Sequence, residues 1–271
     1  LGAWPYQLKK KYGFRYILSP PFTQITGPVI SFPEGQGLVK KQSYEKKVLD
    51  KLVGELPPFD WLQLEVDYNI SNWQPFFWKN FNQTTRYTYV IDRPSLDFEE
   101  LMNSFSKSAR QEIRKAEKNI EVKSGLDIRS FYQLNQMSFN RQHLEMPISF
   151  EKTKRMIDAC LQHDVAEILY ASDPDGSVHA GLMVAWDKKY LYFLLGGGDP
   201  EFRTSGSKFM VTAQAILLAA QKGLSVNFRG SMIENIAYYD RQFGAYPLPY
   251  HQISKINSRM LRWKFFLFPE K

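Results

Sequence analysis

The chain has 271 residues, 44% hydrophobic and 23% charged, which is ordinary for a globular protein and enough for one large domain or two smaller ones. Lys and Arg outnumber Asp and Glu by 35 to 28, a balance that favours anionic partners such as phosphates, nucleotides, nucleic acid or an anionic membrane surface. A lone cysteine, Cys160, excludes an internal disulfide framework and suits a reducing, cytoplasmic setting; no apolar run reaches the ~18 residues of a spanning helix; and the four scattered histidines (His143, His163, His179, His251) offer no metal-ligand spacing.

In chain order, "GFRYILSP" and "FTQITGPVISF" within 13–32 read as extended pieces punctuated by Pro and Gly. Val48, Leu49, Leu52 and Val53 lie on one side of a helix predicted over Tyr44–Leu56. Trp61–Tyr68 alternates as a strand does, and Thr84–Asp92 is rich in the β-branched and aromatic residues that strands prefer. Two helical stretches follow, with Ser95 the expected N-cap of the first. In the second, Phe105, Ala109, Ile113 and Ala116 form an apolar stripe, while Lys107, Arg110, Arg114 and Lys118 share the opposite face, a candidate track for an anionic acceptor or simply a solvated surface.

A short strand over Ile120–Lys123 and helices over Asp127–Arg141 and Phe150–Gln162 come next. Val165–Ser172, Val178–Asp187 and Tyr190–Gly197, joined by short turns, read as an antiparallel meander. A helix of small and apolar residues, a strand over Leu224–Gly230, the helical "IENIAYYDRQFG" and a strand "YHQISKI" complete a mixed α/β order.

Between meander and helix stands "RTSGSK". The first amides of a helix lack intrahelical partners and, with the helix dipole, favour an anion, while glycine lets backbone approach it closely. Arg203, Thr204, Ser205, Gly206, Ser207 and Lys208 are therefore candidate ligands for a donor's phosphates.

Arg-x-x-Gly-x between strand and helix resembles the pyrophosphate loop of GNAT acyltransferases, although Lys208 stands where that family has Gly or Ala. Three longer stretches resemble Fem-type peptidyltransferases: "SARQEIRKAEKNIEV" (Ser108–Val122), "GSKFMVTAQAILLAAQKGLSVNFRGSM" (Gly206–Met232) and "IAYYDRQFGAYPLPY" (Ile236–Tyr250). The resemblance implies two tandem GNAT-like halves, 1–104 and 105–271, the second more complete. Against its pattern, Asn227 replaces an acid, Arg229 stands where relatives are often acidic, and Asp240 replaces a cation. Asp240 falls on an apolar stripe with Ile233, Ile236 and Ala237, so it is expected to be buried and paired, with Arg229 the suggested partner.

The function implied is transfer of an acyl group from an acyl-CoA-type thioester, a substrate and not a resident cofactor, to an amine. Tyr192, Tyr239, Glu234 and Asp240 are candidates for the proton traffic, and Arg110, Arg114 and Arg229 for contacts with the acceptor. The strand end at Gly196–Gly198 is expected to open a gap where an N–H meets the developing oxyanion. An aminoacyl-tRNA donor acting on a cell-wall precursor is the second reading, without the long helical hairpin of tRNA-gripping Fem proteins. A non-catalytic binding module is the third.

Overall fold

A computed structural model describes residues 1–23, 25–229 and 232–267, the side chains of Phe265 and Phe266 excepted. In chain order the elements are β1 (Gly2–Ala3), β2 (Gln7–Lys11), β3 (Phe14–Leu18), β4 (Val29–Ile30), α1 (Leu38–Gly54), β5 (Trp61–Glu65), α2 (Gln74–Phe77), β6 (Asn82–Ile91), α3 (Phe98–Ser104), α4 (Lys107–Ala116) and β7 (Glu121–Ser124). They continue with α5 (Ile128–Asn140), α6 (Phe150–Gln162), β8 (Ala166–Ser172), β9 (Val178–Trp186), β10 (Tyr190–Gly198), α7 (Ser207–Gln221), β11 (Ser225–Asn227), α8 (Glu234–Arg241), β12 (Tyr246–Ile256) and α9 (Arg259–Leu267).

The chain separates into two compact units, residues 1–87 with 248–271, and residues 88–247. The boundary expected at 104/105 falls inside the second unit, because Leu101, Met102 and Phe105 share a core with Val211 and Ile216 of α7.

In the first unit β2 and β3 form a hairpin, β3 runs parallel to β5, and β5 is antiparallel to β12. Ile17, Leu49, Leu62, Leu64, Phe76 and Ile253 are fully buried beneath this sheet and α1. β2 and α9 are absent from the sequence expectations. The strand QLKKK has no apolar alternation and is an edge strand guarded by lysines. Helix α1 begins six residues before the predicted start, in a stretch that is exposed and so carries no periodic signal.

The second unit is a mixed sheet in the order β6-β11-β10-β9-β8-β7. The expected meander is present: β8, β9 and β10 pair antiparallel in sequence. Alternation assigns its two faces. Ile168 and Met183 point to a core shared with Phe131 of α5 and Ile157 of α6, whereas Leu169, Ala171, Leu182 and Val184 point to the core shared with α4 and α7. Complete burial of Ile216 and Ile113 contributes roughly 1.5–3 kcal/mol each in transfer free energy.

Helix ends follow local chemistry. Asp97, not Ser95, caps α3 by accepting from the Glu100 amide at 2.9 Å; Ser95 instead donates to the Glu100 carboxylate. Asp127 caps α5 through the amides of Arg129 and Ser130. β11 ends at Asn227, short of the expected Gly230, which with Ser231 lies outside the described residues.

Candidate active site

The site is built where β10 outruns its parallel neighbour. The two strands pair only over Tyr190↔Ser225, Leu191↔Val226 and Tyr192↔Asn227, while β10 continues to Gly198. Asn227 stops β11: its buried Oδ1 accepts from Thr88 Oγ1 at 2.6 Å and from the Arg229 amide at 2.8 Å, and Arg229 turns to φ +61°. Asn227, where the Fem-like pattern has an acid, thus holds a turn. At the far end of β10, Gly198 N–H already donates to Ser138 Oγ at 3.0 Å. That amide is therefore committed to α5.

Helix α7 opens on Gly206, at φ +78° and with no side-chain cap. Gly206 is buried against α4. A Cβ placed there would fall within contact distance of the Glu112 carbonyl oxygen, 3.1 Å from its carbon and 3.3 Å from Ala116 Cβ. Lys115 of α4 also donates from Nζ to the Thr204 carbonyl, and Ser205 Oγ accepts from the Ser207 amide at 3.3 Å. The loop is thereby fastened to α4 from one side. Arg203 and Thr204 are exposed on it.

On the other side α8 meets the first turn of α7. The Tyr239 hydroxyl donates to the Lys208 carbonyl at 3.1 Å and lies 2.9 Å from Thr212 Oγ1, and the Lys208 ammonium sits 4.2 Å from the Tyr239 ring centre. Asp240 is 4% exposed, and its Oδ2 has no hydrogen-bond partner. Burial pushes its carboxyl up to about 7, opposed by the charge of Lys208. Lys208 is exposed to water, yet the surrounding protein lowers its ammonium pKa; Asp240 opposes that shift and Arg141, at the end of α5, adds to it. The cation acting on Asp240 is therefore Lys208, where the sequence suggested Arg229.

The remaining candidates sit apart from this group. Tyr192, opposite Asn227, donates from its hydroxyl to Asp187 Oδ2 at 2.8 Å. Glu234 is exposed in the first turn of α8. Arg110 folds back to donate to the Phe105 carbonyl at 2.6 Å, closing the end of α3 rather than offering a free cation, while Arg114 of α4 is exposed. Sequence reasoning missed Thr212, whose only signal is a lone hydroxyl inside an apolar helix, and Arg141, which carries none.

Burial raises the Tyr239 phenol further above its ordinary range, so at neutral pH it is a proton-bearing hydroxyl that orients α7 against α8. Tyr239→Phe is expected to cost about 1 kcal/mol in denaturant unfolding and to change kcat less than about tenfold. A loss of several hundredfold in kcat would make the hydroxyl a catalytic group.

Residues 103–230 match the family model described as an acetyltransferase (GNAT) domain. No curated protein matches the sequence. Among solved structures, FemX is similar over 99% of this chain and 87% of its own, at 13% identity and TM-score 0.71. L-PGS from Bacillus licheniformis matches over 97% of this chain and 84% of its own, at 10% identity and TM-score 0.57. A tandem GNAT protein from the clavulanic acid biosynthesis pathway matches over 95% and 79%, at 7% identity and TM-score 0.52. Residues 103–230 thus resemble a GNAT acetyltransferase domain, and the chain has the fold seen in FemX.

Proposed function

We propose that the second unit transfers an acyl group from a thioester donor of the acyl-CoA type to an amine, with Asp240 as the general base. The observation that carries this is a buried carboxyl with one unpartnered oxygen, raised to about 7, beside the glycine-started first turn of α7. A base poised near neutrality takes a proton from an acceptor ammonium without holding it too tightly to release.

In this reading the donor's phosphates meet the N-terminal end of α7, where the Ser207 and Phe209 amides are already engaged, and the Lys208 ammonium. Its thioester carbonyl lies along β10 beyond Tyr192, where β11 no longer pairs. Asp240 removes one proton from the acceptor. The amine nitrogen then bonds to the carbonyl carbon, the carbon–sulfur bond breaks, and the second proton that the nitrogen sheds on becoming an amide goes to the departing thiolate.

Titration calorimetry with acetyl-CoA and longer acyl-CoAs tests the donor. Binding should be measurable, and Lys208→Ala should weaken it about tenfold, the share of one charge-assisted phosphate contact. Lys208 is the residue to change, because any side chain at Gly206 disturbs α4. An absence of acyl-CoA binding, with turnover from an aminoacyl-tRNA instead, would replace this reading with Fem-like peptidyl transfer.

A further inference from the structure

We propose that the first unit docks on an anionic phospholipid surface through α9 and the β2–β3 hairpin. Leu261, 4% exposed, seats α9 on its unit. Met260, Trp263 and Leu267, at i, i+3 and i+7 and 68%, 67% and 62% exposed, point away from that seat. At ~100° per residue they share one stripe, flanked by the exposed Arg259 and Lys264. No acidic residue interrupts the nine-residue helix. Apolar side chains facing water between cations are the pattern of a helix that lies in a membrane interface.

The hairpin turn lies at the same end of the sheet as the start of α9. Leu8 and Tyr12 are 50% and 84% exposed, with Lys9, Lys10 and Lys11 exposed between them. Asp60 ties the hairpin to the start of α9: its amide donates to the Arg15 carbonyl at 2.9 Å, and its carbonyl accepts from the Asn257 amide at 2.8 Å.

Charge selects the occupant. Residues 1–87 and 248–271 hold 16 Lys and Arg against 8 Asp and Glu, whereas residues 88–247 hold 19 against 20. The basic excess of the chain therefore belongs entirely to the unit that carries the apolar stripe. An anionic lipid surface accommodates both features, the cations at its headgroups and the stripe at its acyl boundary. Among the described residues no helix is long and apolar enough to cross a membrane, so the contact is peripheral.

The test is co-sedimentation of the full chain with vesicles of phosphatidylcholine alone or mixed with phosphatidylglycerol. The chain should sediment with the mixed vesicles, less so as salt rises, and not with phosphatidylcholine alone. Met260→Ser/Leu267→Ser and Lys9→Glu/Lys10→Glu/Lys11→Glu should each weaken binding by about tenfold or more with unchanged far-ultraviolet circular dichroism. No preference for the anionic vesicles, or binding indifferent to both variants, overturns the proposal. So does tRNA binding without vesicle binding. Self-association that the serine variant abolishes, again without vesicle binding, would mark the stripe as an interface between copies and equally overturn it.

Discussion

Asp240→Asn is expected to lower kcat for acyl transfer by ~10²–10⁴ and, above neutral pH, to make the protein more stable. Both effects have one cause. The carboxyl is pushed up to about 7 by burial, so between roughly pH 4 and 7 the folded chain holds a proton that the unfolded chain has released. Stability falls as pH rises through that window. Above it, the buried carboxylate costs about 4 kcal/mol relative to its solvated form. The amide of Asn carries no such cost and accepts no proton from substrate. The stability gap between variant and parent should be absent near pH 4 and grow to as much as about 4 kcal/mol by pH 8, read from urea midpoints at each pH. The parent's kcat should rise with pH through about 7 and that of the variant should not. A gap that stays flat with pH would mean that Asp240 titrates as an ordinary carboxylate; unchanged kcat would remove it from the chemistry.

This site was half legible in the sequence. Small residues along α7 and the meander before it are local signals, and α5, α6, β8, β9 and β10 lie within a residue or two of where periodicity places them. The edge strand β2 and the terminal helix α9 bury too little for an alternation or stripe to name them. In the sequence, Lys208 and Asp240 look like two separate departures from a family pattern, 32 positions apart. In the fold they are one feature, a cation and a buried carboxyl acting on each other across the α7–α8 contact. Spacing along a chain carries no information on which helices meet, so the sequence suggests Arg229, another departure from the family pattern, as the carboxylate's partner. The packing of Gly206 is hidden in the sequence for the same reason. Its role as a bare spot against α4 depends on residues some ninety positions earlier.

The close approach of Gly206 to α4 has the second large consequence. Gly206→Ala should destabilise the protein by roughly 2–5 kcal/mol, combining about 1–2 for a non-glycine residue in the left-handed region with 1–3 for overpacking. Both parts apply here, at φ +78° with the Glu112 carbonyl in the path of the new methyl group. The obstacle is helix backbone, so it cannot be relieved by rotating a side chain; α4 and α7 must separate. Gly223, at the other end of α7, is the internal comparison. It has φ +67° and nothing within 4 Å of a Cβ, so Gly223→Ala should incur only the conformational part, about 1–2 kcal/mol. Denaturant unfolding of the pair separates packing from backbone conformation within one helix. Equal losses would show that the contact with α4 yields freely, and Gly206 would return to being a glycine kept open for a ligand. A larger loss at Gly206, with acyl-CoA binding falling only in step with the folded fraction, makes the loop a rigid part of the scaffold and leaves recognition of the donor to the N-terminal end of α7 and to Lys208.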